Sequence, residues 1–229
     1  RWVKANTPEL SGDRVTNREL QARLAVSESA VINWLESLTG AAERCLWFYG
    51  GKQIEIQSPR ELQEQISDIC DKVFYQTPTL HNEMINRREL SGSAKSARKE
   101  LIKAMLADSD KPKLGIEGFP PQMSMYFSVL QETEIHRAEK GRWGFYAPTA
   151  RADDRIKAVW NEIDYFLSET EVERQTVADL FARLSLPPFG LKSGVLPVLL
   201  FAALLHYDTE VAFYEQGSFV PSLSMPIFE

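Results

Sequence analysis

The stretch that decides the predicted fold is residues 17–56, NRELQARLAVSESAVINWLESLTGAAERCLWFYGGKQIEI. Its apolar residues fall at helical spacing on both sides of residues 25–27, which predicts two helices joined by a tight turn, with Ser27 as the N-cap of the second. Gly40 is expected to end that helix, and the β-rich runs around Gly50-Gly51 predict a hairpin. A helix-turn-helix followed by a hairpin is typical of the winged-helix arrangement.

The same order of elements recurs in the last third of the chain. Residues 176–184 predict a helix, 186–193 a turn that contains two adjacent prolines, and 195–207 an almost wholly apolar helix. A hairpin is predicted at residues 211–220. Because the turn is longer than the one at residues 25–27, this copy matches the first only by the order of its elements.

The middle of the chain predicts further helices and another hairpin. Residues 81–107 are expected to be helical with a break near Ser91-Gly92, and residues 124–136 form a second predicted helix after a loop rich in Pro and Gly. A strand or hairpin is predicted at residues 142–147, followed by an amphipathic helix at residues 156–167.

These patterns predict a mainly α protein with short β-hairpins, organised as a tandem winged-helix-like helical module. Residues 1–76 are expected to form a winged-helix-like unit that ends in a helix starting at Pro59. Residues 77–150 are a helical middle unit with a short hairpin. Residues 151–229 are a helical unit with a C-terminal, winged-helix-like hairpin.

Composition limits the partners and the cellular compartment. The 229 residues carry a formal net charge of −6 with a pI near 5.3, so any nucleic-acid surface must be local. The longest apolar run, residues 195–205, is shorter than the ~20 residues of a membrane-spanning helix, and the chain does not open with a signal-peptide pattern. We expect a cytoplasmic protein without membrane contacts, with Cys45 and Cys70 as buried free thiols. The first residue, Arg1, suggests a fragment of a longer protein.

Two clusters of basic residues are candidates for binding nucleic acid. They lie at residues 87–103 and 137–157. The second cluster also contains Trp143, Phe145 and Tyr146, and aromatic rings among cations can stack on bases. A charge run is more often the solvated face of a helix, and the aromatic residues more often the buried side of a strand. The candidate nucleic-acid-binding residues are Arg87, Arg88, Lys95, Arg98, Lys99, Lys103, Arg137, Lys140 and Arg142.

The predicted recognition helices themselves are poor DNA readers. The helix after Ser27 carries Glu28 and Glu36 but no Lys or Arg before residue 40, and carboxylates repel phosphate. The helix at residues 195–205 has no polar side chain and must be buried on nearly all sides. Both helices are therefore predicted to be packing elements.

Catalytic and metal-binding patterns are weak throughout the sequence. Residues 190–194, GLKSG, lack the spaced glycines of a phosphate-binding loop, and the Ser96–Lys99 spacing lacks the companion motifs of acyl-transfer enzymes. His81, His136 and His206 have no Cys or carboxylate at ligand spacing. We therefore predict no catalytic residue, no metal and no cofactor.

Two stretches resemble a known group of proteins. They are residues 81–137, with NEMINRRELSGSAKSARKELIKAML, LGIEGFPPQMSMYFSVL and IHR, and residues 187–221, PPFGLKSGVLPVLLFAALLHYDTEVAFYEQGSFVP. They resemble the part beyond the nucleotide-binding core in very large bacterial P-loop ATPases of phage-defence islands, the BREX-type ATPases. The resemblance implies that ATP is hydrolysed in a part of the parent protein outside this sequence. It further implies a helical scaffold for partner subunits, DNA or other copies of the ATPase.

The sequence therefore predicts a non-catalytic assembly or recognition module of a larger anti-phage ATPase, which contacts other domains or subunits. The alternative is a winged-helix module that binds duplex DNA directly through residues 87–103 and 137–157. An enzyme of a type without a recognisable motif is a further alternative, which a cleft of converging titratable groups would favour.

Overall fold

The computed structural model describes residues 13–39, 46–215 and 217–220. Within these residues the chain is mainly helical and contains three small sheets, each an antiparallel pair of consecutive strands. It divides into two compact units, Arg1–Asp71 and Lys72–Glu229. The mainly α fold with short hairpins is thus confirmed, whereas the winged-helix arrangement is not.

The first unit consists of helices and one hairpin. It contains α1 (Arg14–Thr39), β1 (Trp47–Tyr49), β2 (Lys52–Ile54) and most of α2 (Pro59–Val73). The hairpin forms because Gly50 and Gly51 both adopt positive φ, +58° and +76°, as a two-residue turn between twisted strands requires. The predicted hairpin around Gly50-Gly51 and the predicted helix start at Pro59 are confirmed.

Helix α1 is continuous, so the turn predicted at residues 25–27 is wrong. The helix begins after Asp13, whose Oδ1 accepts a hydrogen bond from the backbone N–H of Val15 at 3.0 Å. Ser27 caps nothing, since its hydroxyl donates to the carbonyl of Arg23 within the helix at 2.9 Å. No Gly or Pro occurs between residues 14 and 39 to interrupt the hydrogen-bond ladder. The predicted helix end at Gly40 lies outside the described residues.

The second unit contains the other helices and hairpins. In chain order these are α3 (Gly92–Ala107), a 3-10 turn (Pro112–Gly115), α4 (Pro121–Tyr126) with a π-helical continuation (Phe127–Gln131), β3 (His136–Glu139), β4 (Arg142–Phe145), α5 (Asp154–Glu169), α6 (Val177–Ser185), α7 (Leu196–His206), β5 (Phe213–Glu215) and β6 (Ser218–Val220).

Two helix predictions in this unit are wrong at their ends. Residues 81–91 form turns rather than helix, because the Asn82 side chain accepts hydrogen bonds from the N–H groups of Met84 and Ile85 and so competes with a helical ladder. The predicted break near Ser91-Gly92 is confirmed, and Ser91 is the N-cap of α3. The helix predicted to reach His136 ends earlier, because Glu134 has a φ of +60° and His136 begins β3.

The predicted helices in the last third of the chain are confirmed within one or two residues. Helix α6 has the strongest local signal, a capping box in which Thr176 and Asp179 each bond the other's backbone N–H. Helix α7 has Pro197 in its first turn, where the missing N–H costs nothing. The hairpin β5–β6 also lies within the predicted range.

A single buried core runs through the second unit, from Leu80 to Leu204 in sequence. Its centre is α7, where every residue from Val198 to Leu204 is buried, and α7 packs against α3, α5 and β4. Elements from the predicted units 77–150 and 151–229 therefore share this core. The structure divides the chain at residue 71 rather than into three units.

The loop before α7 lies directly against the backbone of residues 85–87. The Gly194 N–H donates to the Arg87 carbonyl at 3.0 Å, and a Cβ on Gly194 would lie 2.0 Å from the Ile85 carbonyl oxygen. This approach requires glycine because the obstructing atom belongs to the backbone and cannot rotate away.

We therefore predict that Gly194→Ala lowers the free energy of unfolding by about 3 kcal/mol or more, through overpacking against a fixed carbonyl. The matched control is Gly92→Ala at the start of α3, where a Cβ meets no atom within 4 Å. Urea denaturation followed by circular dichroism measures both. Equal stabilities for the two variants would contradict the close approach.

Candidate functional site

The first basic cluster, residues 87–103, is distributed over a turn segment and helix α3. The Arg87 Nη2 lies 3.8 Å from the Glu83 Oε2, and the Lys103 Nζ lies 2.6 Å from the Glu100 Oε1. Both are exposed ion pairs between residues three or four positions apart. Arg88 and Lys95 have exposed side chains, and Lys99 is half-buried. The cations of this cluster therefore differ in their availability to a ligand.

Arg98 serves the fold instead of a ligand. Its Nη1 donates to the carbonyls of Ser193 and Gly194, each at 3.3 Å, and ties α3 to the loop before α7. Partial burial lowers the pKa of the Arg98 guanidinium, which nevertheless remains the charged donor that two carbonyls require. Arg98 is thus a structural tether within the predicted cluster.

The hydrogen bonds of Arg98 hold the loop that contains one further cation, Lys192, against the segment of the first basic cluster. Lys192 is exposed and precedes Ser193, whose carbonyl binds Arg98, while Gly194 bonds the backbone of Arg87. Lys95 lies one helical turn before Arg98 and so shares its side of α3. We call Arg87, Arg88, Lys95 and Lys192 the basic surface. In the sequence, Lys192 stands in the stretch GLKSG, which resembles a phosphate-binding loop only superficially.

The second basic cluster, residues 137–157, is not a continuous surface. Arg137 is turned inward: its guanidinium donates to the Glu134 and Ala147 carbonyls, pairs with Glu139, and stacks over Tyr146 with 4.9 Å from Cζ to the ring centroid. Only 21% of its side chain is exposed. Lys140 and Arg142 are exposed beside the β3–β4 turn.

Two further cations of the second cluster, Lys157 and Arg155, are also engaged within the fold. Lys157 pairs with Asp154 at 2.6 Å, and the Arg155 guanidinium donates to the Thr77 carbonyl at 3.4 Å. Phe145 is buried and Trp143 half-buried, as expected for the inner side of a strand. These rings are not an open stacking platform for bases.

His136 forms a buried hydrogen-bonded chain with Tyr126. Its Nε2 lies 2.9 Å from the Ser109 carbonyl and its Nδ1 lies 3.0 Å from the Tyr126 hydroxyl. Because a carbonyl only accepts, Nε2 carries the proton and Nδ1 accepts from the hydroxyl. The two rings are at most 1% exposed. Burial lowers the pKa of His136 and raises the pKa of Tyr126 to about 12, so both groups are neutral near pH 7.

The structure thus assigns His136 a structural role. His206, the last residue of α7, donates from Nδ1 to the Phe145 carbonyl at 3.0 Å and joins that helix to β4. Cys70 is exposed, which contradicts the expectation of burial, and Cys45 lies outside the described residues.

A groove of about 580 Å³ in the second unit lies beside α4 and its π-helical turn. Its polar lining includes His81, Asn82, Ser124 and Ser128. The hydroxyl of Ser124 donates to the Pro121 carbonyl at 2.8 Å, and that of Ser128 donates to the Ser124 carbonyl at 3.0 Å. Since both protons are bound to backbone oxygens, this arrangement does not activate either serine as a nucleophile.

The described part of the chain contains no group of three or more His, Cys, Asp or Glu residues placed to hold a metal ion. Among its helices, none combines the length and the apolar composition needed to cross a membrane.

Comparison with models of known protein families finds no match, and neither the curated proteins nor the solved structures include a chain that matches this one.

We predict that His136 makes the stability of the second unit pH-dependent. Because its pKa is lowered in the folded state, the unfolded chain binds more protons near pH 6.5. The free energy of unfolding should therefore decrease as the pH falls below the unfolded value, by at most about 1.4 kcal/mol per pH unit, and level off below the folded pKa.

The measurement is urea denaturation between about pH 7.5 and about pH 5.5, where His136→Gln should be less stable than the parent but show a shallower dependence on pH. The exposed His81 provides the control variant His81→Gln, which should keep the parent's dependence. A His136→Gln curve parallel to the parent's would contradict this role.

Proposed function

We propose that the chain is a non-catalytic assembly and recognition module of a larger bacterial ATPase of the phage-defence type. The proposal is supported by the resemblance of residues 81–137 and 187–221 to BREX-type ATPases and by one structural observation. Many apolar residues of the first unit lie on its surface, whereas those of the second unit enclose a core.

The exposed apolar residues of the first unit occur on α1, on the hairpin and on α2. Val31 is 56% exposed, Phe48 62% and Ile66 51%. No residue of α2 is buried, and among the side chains described from 14 to 36 on α1 none is buried either. Exposed apolar and aromatic side chains at this density are typical of a surface that binds another protein.

The winged-helix-like arrangement is retained in this proposal only for residues 177–220. There, α6, the turn, α7 and the hairpin β5–β6 follow one another in the expected order. Helix α7 is enclosed along its length and offers no polar face to a DNA groove. We therefore assign this arrangement to packing within the second unit.

Site-specific photo-cross-linking tests the assembly function. A photoreactive amino acid replaces Phe48 in the full-length protein, and cells that contain it are irradiated before mass spectrometry. We expect a protein adduct that contains either a P-loop ATPase region or a second copy of this chain. The control position is Asn161, an exposed polar residue of α5, which should form no such adduct. Absence of adducts at Phe48, or equal adducts at both positions, would argue against the assembly function.

A second candidate function, binding of duplex DNA, is favoured by the basic surface. Arg87, Arg88, Lys95 and Lys192 come from three segments that the Arg98 tether and the Gly194–Arg87 hydrogen bond hold together. Exposed cations gathered on one side of a fold can bind successive phosphates, even on a chain with a net charge of −6.

Fluorescence anisotropy with a labelled duplex, titrated with salt, tests this second function. The variant Arg88→Ala/Lys95→Ala/Lys192→Ala should bind more weakly, and its slope of log affinity against log salt should decrease by up to roughly 3. The control is Lys140→Ala/Arg142→Ala in the β3–β4 turn, which should retain the parent's slope. A parent chain with no salt-dependent binding, or equal losses in both variants, would exclude the basic surface as the binding site.

A further inference from the structure

The groove beside α4 is lined in part by the π-helical turn Phe127–Gln131. The Glu132 N–H donates to the Phe127 carbonyl, five residues back, at 2.9 Å. A turn that closes over five residues brings the side chains four and five positions after Phe127 to either side of it. Phe127, Gln131 and Glu132 therefore all line the groove. Single π turns are rare in helices and are frequent at functional sites.

Three polar side chains of the groove are free to bind a ligand. Among the residues that the structure describes, the Gln131 amide and the Glu132 carboxylate have no hydrogen-bond or ion-pair partner, and both side chains are exposed. His81 is the third, an exposed residue on the segment that precedes α3. The half-buried Phe127 ring supplies an apolar surface next to these groups.

The other polar side chains of the groove have already used their protons. The Asn82 Nδ2 donates to the Ser128 hydroxyl at 3.1 Å, and the hydroxyls of Ser124 and Ser128 donate to backbone carbonyls. These hydroxyls therefore meet a ligand as acceptors. Together with the Glu132 carboxylate and the Gln131 amide oxygen, they make the groove richer in acceptors than in donors.

A groove with many acceptors, one free carboxylate and an aromatic ring is complementary to a guanidinium group. A guanidinium has five N–H donors in one plane and no acceptor, pairs with carboxylates and stacks on aromatic rings. The Phe127 ring already attracts one cation, since the Lys113 Nζ lies 5.8 Å from its centroid, and Lys113 does not line the groove. The net charge of −6 also favours the approach of a cationic ligand.

We propose that this groove binds the side chain of an arginine on a partner protein. The guanidinium pairs with the Glu132 carboxylate and donates to the Gln131 amide oxygen, while the aliphatic stem packs against Phe127. His81, Ser124, Gln131 and Glu132 are exposed, so a polypeptide can lie across the groove. This inference rests on the proposed assembly function, because it gives the chemistry of one partner contact.

Peptide titrations of the full chain, followed by NMR chemical shifts, test the chemistry of the ligand. The probe is the capped peptide acetyl-Gly-Ser-Arg-Ser-Gly-amide, and two control peptides carry lysine or citrulline in place of arginine. We expect the arginine peptide to bind with a millimolar dissociation constant, and the lysine peptide to bind more weakly because an ammonium lacks the planar fork. The neutral citrulline peptide should bind roughly three- to tenfold more weakly than the arginine peptide.

Three outcomes of the titrations overturn the proposal. The arginine peptide does not bind, or the citrulline peptide binds equally well, which would show that the charge is not recognised. The third outcome is that free L-arginine binds more tightly than the capped peptide, which would assign the groove to a small molecule instead of a partner protein.

Variants of the groove locate the binding site. Glu132→Gln keeps the shape of the side chain, removes its charge and should weaken binding of the arginine peptide roughly three- to tenfold. The matched control is Glu171→Gln, an exposed carboxylate after α5, which changes the net charge equally and should leave the dissociation constant unchanged. Phe127→Leu should remove the preference for arginine over lysine.

An unchanged dissociation constant in Glu132→Gln, or equal weakening by Glu132→Gln and Glu171→Gln, contradicts binding in the groove. A Phe48 adduct with an ATPase region would in that case still support the assembly function, because Phe48 belongs to the first unit.

Discussion

Helix α7 has apolar side chains on every side, so it is stable only when other elements enclose it. Every residue from Val198 to Leu204 is buried, and α3, α5 and β4 are the elements that pack against it. The loop that leads into α7 must approach the backbone at Ile85 closely enough to require Gly194. Segments far apart in sequence are therefore held together by the burial of a single helix.

This arrangement determines how the charged residues of the second unit are used. Arg98, Arg137 and His206 each donate to backbone carbonyls where elements meet, which satisfies polar groups that burial around α7 would otherwise leave without hydrogen bonds. Arg183 joins α6 to α5 in another way, through its ion pair with the Glu169 carboxylate at 2.6 Å. The cations that remain exposed include Arg88, Lys95 and Lys192.

The two units differ in how their apolar residues are satisfied. In the second unit a continuous core contains residues from nearly every element. In the first unit, α1 and α2 bury none of the side chains that the structure describes, although both helices carry apolar residues at helical spacing. Apolar faces of this kind acquire stability when a partner covers them.

Local signals in the sequence were sufficient for the elements with strong punctuation. Pro59 opens α2 because its ring fixes φ, and Thr176 and Asp179 cap α6 through hydrogen bonds to each other's backbone N–H groups. Gly50-Gly51 turns the first hairpin because glycine tolerates the positive φ of that turn. Each of these features restricts the local chain to one structure. The apolar composition of α7 likewise predicted its burial. Residues 25–27 carry no such restriction: Ala, Val and Ser are tolerated in both a turn and a helix, so the sequence pattern did not exclude a turn there.

The sequence alone determined the mainly helical composition, the hairpins and the positions of most helices, since these depend on neighbours within a few residues. Only the tertiary structure decided that residues 77–150 and 151–229 share one core and that Arg137 and His136 face inward. It also decided that the loop containing Lys192 lies against the segment containing Arg87. Those outcomes depend on contacts between residues distant in the chain, which α7 creates by gathering them around itself, and spacing along a sequence does not record such contacts.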